Sequence, residues 1–255
     1  ALMITLNRQF NLLRTMSIFF VAFFMFATCA TPGVACALSG SSLLALVVMA
    51  CVWLMFSIYA VRVSSRRIFL TFTLLSAGAL VDYAFLFYVP VFILGLGQMK
   101  LFRPKKLLAM LLGLVTPPWI VYGLGLAPWP QMPHIFWTPP SMLLSLPGGP
   151  PFVVTVGVTL VLGCILGLLN LFRILGFNAR ARAYNGLLSL VAIATGIFAV
   201  VNFTHLDFYV TLLNASVAFQ VGLFFRFAAP RRGYILILSI LFLYAGLYVW
   251  QMSQL

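Results

Sequence analysis

The chain has 255 residues, 64% hydrophobic and 7% charged, with fifteen Lys+Arg against two Asp+Glu and a formal net charge of +13. A soluble domain carries about 25% charged residues and covers its core with polar surface, so this composition excludes one. A nucleic-acid-binding face is excluded too: the basic residues sit in short clusters between apolar runs, as in cytoplasmic loops under the positive-inside rule, and anionic lipid headgroups are their expected partner.

Apolar runs near or above ~18 residues recur, each long enough to cross a ~30 Å hydrocarbon layer. They are continuous rather than alternating, which favours helices over a barrel. At the start, Arg8 and Arg14 precede an apolar stretch from Met16 to Ala27 and then small residues to Ala37. This mimics a secretory signal peptide, but the many spans that follow favour a signal anchor. Leu6, Phe10 and Leu13 share one helical face, so the first residues are expected to lie in the interface.

Spans are expected at 15–31, 42–61, 107–126, 152–173, 186–203, 208–225 and 234–251. The apolar stretch 68–97, broken only by Asp82, is one long helix or two short ones, and charge decides. Arg62, Arg66 and Arg67 precede it, and Lys100, Arg103, Lys105 and Lys106 follow. A single crossing would put one cluster outside. A hairpin of helices 68–81 and 84–97, joined near Asp82 and Tyr83, keeps both inside. Each arm is about 21 Å long at ~1.5 Å per residue. The pair therefore re-enters from the cytoplasmic side or sits in a thinned bilayer. The expectation is an all-α, polytopic bundle of nine membrane segments in a single transmembrane domain, N-terminus cytoplasmic and C-terminus outside. All fifteen Lys and Arg then fall inside, while Asp82, Asp207, His134 and His205 fall outside or within the membrane.

In the fifth segment Gly113 and the run Thr116-Pro117-Pro118-Trp119 are expected to produce a kink. The long outer segment 127–151 holds eight of the fourteen prolines, which forbid a continuous helix. Trp129 and Trp137 within it suit an interfacial cap or a partner-docking surface. Thr159, Gly163 and Gly167 recur every fourth residue and mark close helix packing.

Asp82 is a candidate proton or cation site at a broken helix pair, or a residue solvated among outer headgroups. Asp207, Thr211, Asn214 and Ala218 share one helical face, which should turn to the bundle interior or a cavity. His205 beside Asp207 is a candidate acid–base pair, or a histidine bonded to a loop carbonyl. Arg66, Arg67, Arg103, Lys105, Lys106, Arg231 and Arg232 are the expected headgroup contacts.

No cofactor or metal is expected. Cys29, Cys36, Cys51 and Cys164 form no CxxC pair and no histidine lies at ligand spacing. Cys29 and Cys36 both fall near the non-cytoplasmic end of the first span, where an oxidising compartment would allow a disulfide; buried free thiols are the alternative. There is no Walker loop, Rossmann fingerprint, HExxH or GxSxG, and two acids are too few to hold Mg²⁺ for phosphoryl chemistry. The histidines lie at loops, away from where haem ligands belong.

Three functions follow in order: a subunit or scaffold of a larger complex in a bacterial inner membrane, partnered by other membrane subunits; a transporter or channel using Asp82 and the Asp207/Thr211/Asn214 face; and an enzyme acting on a lipid-linked substrate at the outer face, with Asp82, His134, His205 and Asp207 converging.

Overall fold

The computed structural model describes residues 2–13, 19–32, 40–60, 65–126, 149–174, 176, 179–227 and 230–253, with side chains at all of these but 19, 60, 174, 227 and 230–234. Arg14, Cys36, Arg62, Trp129, His134 and Trp137, with the side chains of Arg231 and Arg232, lie outside the described residues. Among those described the secondary structure is helical throughout: α1 Leu2–Phe10, α2 Phe19–Cys29, α3 Gly40–Ala60, α4 Ser65–Ala79, a 3₁₀ turn Tyr83–Phe87, α5 Tyr88–Gln98, α6 Pro104–Gly123, α7 Gly149–Ile174, α8 Ala179–Val201, a 3₁₀ turn Phe203–His205, α9 Leu206–Phe227 and α10 Pro230–Met252. Six of these elements (α3, α6, α7, α8, α9 and α10) are long and apolar enough to cross a membrane. The chain is therefore a polytopic integral membrane protein, built from helices because they satisfy their own backbone in lipid.

The stretch 68–97 breaks where Asp82 stands: α4 ends at Ala79, and the chain turns through Leu80 and Val81 into the 3₁₀ turn and α5. Contacts fix the directions of the helices. Cys51 donates to the Thr71 carbonyl and Arg67 to that of Ser57, so α3 and α4 run antiparallel. Tyr83 meets His205, Phe87 meets Phe198, Tyr88 meets Thr195 and Gly95 lies against Leu187, so α5 and α8 are antiparallel as well. The result is a bundle with two unlike ends. Arg67, Arg173, Arg180 and Arg226 contact Ser57, Phe224, Tyr184 and Leu12 at one end. Asp82, His205 and Asp207 lie at the other, where Tyr83 and Asn202 meet.

Helix α9 is the core. Every residue from Tyr209 to Phe225 is buried, and α2, α3, α7 and α8 surround it. Gly222 allows this, because a Cβ there would meet Leu13 and Phe20. Helix α1 tucks beneath the basic end with Leu6, Phe10 and Leu13 buried. Asn7 is buried too, off the expected apolar face, because its carboxamide oxygen accepts from the Leu13 amide at 2.8 Å and closes the turn after α1.

Helix α6 packs chiefly on α4 and stays helical through Pro117 and Pro118. Pro118 has no N–H, so the Leu114 carbonyl loses its donor four residues on. Ser76 of α4 supplies one instead, its hydroxyl donating to that oxygen at 2.7 Å. Thus a break in one helix's ladder is repaired by a neighbour, the usual route by which proline is tolerated within a membrane helix.

Candidate functional site

At the acidic end, Asp82 adopts extended backbone angles (φ −148°, ψ 136°) and its carboxylate accepts from the Ala84 amide at 2.8 Å. It is half-buried and acts as the cap that starts the 3₁₀ turn. The next residue, Tyr83, receives a hydrogen bond from Asn202 Nδ2 at 3.0 Å and stands edge-on to His205, ring centroids 5.6 Å apart. Asn202 also donates to the Tyr209 hydroxyl at 3.4 Å, and Thr204 donates back to Asn202 Oδ1 at 3.2 Å. Asp207 is exposed in the first turn of α9, where the helix dipole favours a negative charge. Among the described residues no hydrogen bond joins His205 to either acid, and no group of three His, Cys, Asp or Glu side chains stands placed to hold a metal.

The polar face expected on α9 is divided among neighbours. Thr211 is buried against α3: the Ser41 hydroxyl donates to Thr211 Oγ1 at 2.6 Å and accepts from the Thr211 amide at 3.2 Å. Gly40, just before Ser41, lies so close to Phe208 that a side chain would collide with its ring. Asn214 is buried one turn further, and its amide nitrogen has no partner among the described residues.

Deeper in the bundle is a cluster the spacing did not single out. Asn170 of α7 is fully buried and donates to both the backbone and side-chain oxygens of Gln220, at 2.8 and 2.9 Å. Gln220 Nε2 then donates to Ser189 of α8 at 3.1 Å. Three helices are thereby joined through amides inside an apolar bundle. The one available signal was compositional: a lone Asn in a Leu-rich run and a lone Gln in a Phe/Val-rich run each need an internal partner.

Of the small-residue positions, Thr159 shares a 2.7 Å hydrogen bond with Tyr244 of α10, and a Cβ on Gly163 would stand 2.7 Å from Val217 Cγ2. At Gly167 a Cβ would meet nothing within 4 Å; that position lines a cavity between α7 and α8.

At the basic end Arg67 is half-buried and bonded to Ser57, while Arg66, Arg103 and Lys105 are exposed and Lys106 is buried at the start of α6. Tyr184 anchors an aromatic group of Phe10, Phe56 and Tyr59, donates to the Phe56 carbonyl at 3.2 Å and accepts from Arg180 Nε at 3.0 Å. Cys51 is buried, whereas Cys29 and Cys164 are exposed free thiols. No protein-family model, curated protein or solved structure matches this chain.

Proposed function

We propose that the chain is a non-enzymatic subunit or scaffold of a larger complex in a bacterial inner membrane. The observation that carries this reading is where six of the interior polar groups go. Ser41, Thr159, Asn170, Ser189, Thr211 and Gln220 bond to side chains on other helices, and Asp82 caps a turn. These are groups that hold helices in place, and such bonds are the expected glue between membrane helices. Helix α6 supports the same reading from outside. It lies at the periphery and exposes Leu108, Leu111, Leu112, Val115 and Trp119, the last 72% exposed.

In this reading the basic end faces the cytoplasm. The membrane segments are then α2 to α10, nine in all, with the N-terminus inside and the C-terminus outside. A reporter fused after residue 255 should be active on the outer side, and one before residue 1 on the inner side. Affinity purification from native membranes in mild detergent, with mass spectrometry, tests the subunit assignment. Stoichiometric protein partners support it; a lone, monodisperse chain at native levels refutes it. The break between α4 and α5 favours a second reading, a transporter. Flux in proteoliposomes that is lost in Asp82→Asn would replace the scaffold with it.

A further inference from the structure

Helix α8 carries a cavity on each side. One, about 400 Å³, lies between α7 and α8 with α9 as its floor, and the other, about 390 Å³, lies between α8 and α5. They share Leu171, Ser189, Ile193 and Ile197. Ile193 and Ile197 are more than half exposed, so they form a ridge with an open apolar channel on either flank. Along α8, Arg182, Gly186, Ser189, Ile193 and Ile197 follow at i, i+4, i+7, i+11 and i+15, one continuous face. Arg182 is therefore at the basic mouth of the ridge. Arg173 stands at the same end, its guanidinium 4.8 Å from the ring centroid of Phe224, one turn beyond Gln220. Both arginines are exposed. The only acidic side chains of the chain, Asp82 and Asp207, lie at the opposite end, so no carboxylate side chain of the chain competes for these two guanidinium groups.

We infer that one anionic diacyl phospholipid binds here, a chain on each side of the Ile193–Ile197 ridge and its phosphate at Arg182 and Arg173. Shape excludes an inserted helix, which needs one groove about 10–12 Å across rather than two split by a ridge. Length fits a lipid: from Ser189 to Val201 the helix rises about 18 Å, against ~15 Å for the hydrocarbon of one leaflet. Where the two cavities meet, Ser189 accepts from Gln220 and keeps its own proton to donate to an ester carbonyl. Basic pockets between membrane helices are known to hold acidic headgroups in this way.

The test is a titration of the delipidated full chain in mild detergent, read by native mass spectrometry. The probes are dioleoyl phosphatidylglycerol, its single-chain lyso form, dioleoyl phosphatidylcholine and inorganic phosphate. One phosphatidylglycerol should be retained per chain, ahead of the other three. Arg173→Gln and Arg182→Gln, both at exposed positions, should each weaken it on the order of fivefold. Gly167→Leu and Gly196→Leu, where an added Cβ meets no atom closer than 3.8 Å, should fill the α7–α8 channel and reduce diacyl binding to the lyso level. Phosphatidylglycerol affinity unchanged in the Arg173→Gln/Arg182→Gln double variant overturns the inference. So does binding of inorganic phosphate as tight as that of the lipid, which would mark a plain anion site. Cross-linking of Cys164, in the channel wall, to a protein partner in native membranes would also overturn it.

Discussion

Gly113→Ala probes the α4–α6 contact directly. A Cβ at Gly113 would stand 2.6 Å from the Phe69 carbonyl oxygen and 3.1 Å from Phe72 Cβ. The first of these is backbone and has no rotamer by which to move away. It is about 0.8 Å short of the 3.4 Å at which ordinary contact begins, so the two helices must part. Overpacking of this kind costs about 1–3 kcal/mol, and replacing an interior helical glycine returns about 0.5–1 kcal/mol. The net expectation is a loss of about 0–2.5 kcal/mol, centred near ~1 kcal/mol. Gly167→Ala is the matched control, with the same helix benefit and nothing within 4 Å to strike; it should gain about 0.5–1 kcal/mol. The helix benefit is common to both, so the two variants should differ by the overpacking cost alone, which at roughly 2–4 °C per kcal/mol for a chain of this size is roughly 2–12 °C in midpoint. The assay is thermal unfolding in one detergent, followed by tryptophan fluorescence. If Gly113→Ala melts at or above the unmodified chain while Gly167→Ala melts below it, α4 and α6 do not make this contact.

Ser76→Ala should leave the Leu114 carbonyl without a donor and cost about 1–3 kcal/mol; in a Pro118→Ala background, where the backbone N–H returns, the same change should cost much less, and an undiminished cost would refute the repair. A double-mutant cycle of Ser41→Ala and Thr211→Val should give a coupling near ~0.6 kcal/mol and no more than ~1.7 kcal/mol, the range found for hydrogen bonds between membrane helices. Asp82→Asn should unfold like the unmodified chain, since Asn caps as well as Asp, whereas Asp82→Ala should lose about 0.5–2 kcal/mol; equal losses in both would mean that the charge, not the cap, matters.

The break at Asp82 was legible because charge clusters on both sides of 68–97 demanded a return to the same face. The membrane class was legible from run length alone. What escaped was every pairing between distant helices. Asn170 and Gln220 are fifty residues apart, and no spacing rule connects them. Gly163 and Gly167 look equivalent in a G-x-x-x-G repeat, yet one faces Val217 and the other an open channel, because the repeat marks a helix face without saying where its neighbour stops. The expected kink at Pro117 and Pro118 was read from one helix, while the Leu114 carbonyl that Pro118 orphans is satisfied from another. Helical angle groups Asp207, Thr211 and Asn214 on one face, but it does not say that Thr211 alone finds Ser41, on a helix some 170 residues earlier.

The burial of α9 has a consequence for how this protein is made. Ribosomes deliver helices in sequence order, and the one that every central helix packs against emerges after α2, α3, α7 and α8 are already in the bilayer. Until it arrives, Ser41, Asn170 and Ser189 have no amide or hydroxyl to meet, and their helices present polar groups to lipid. Chains halted before residue 206 should therefore be prime substrates for membrane quality control, and a chaperone or assembly partner would find its moment in that interval rather than after folding is complete.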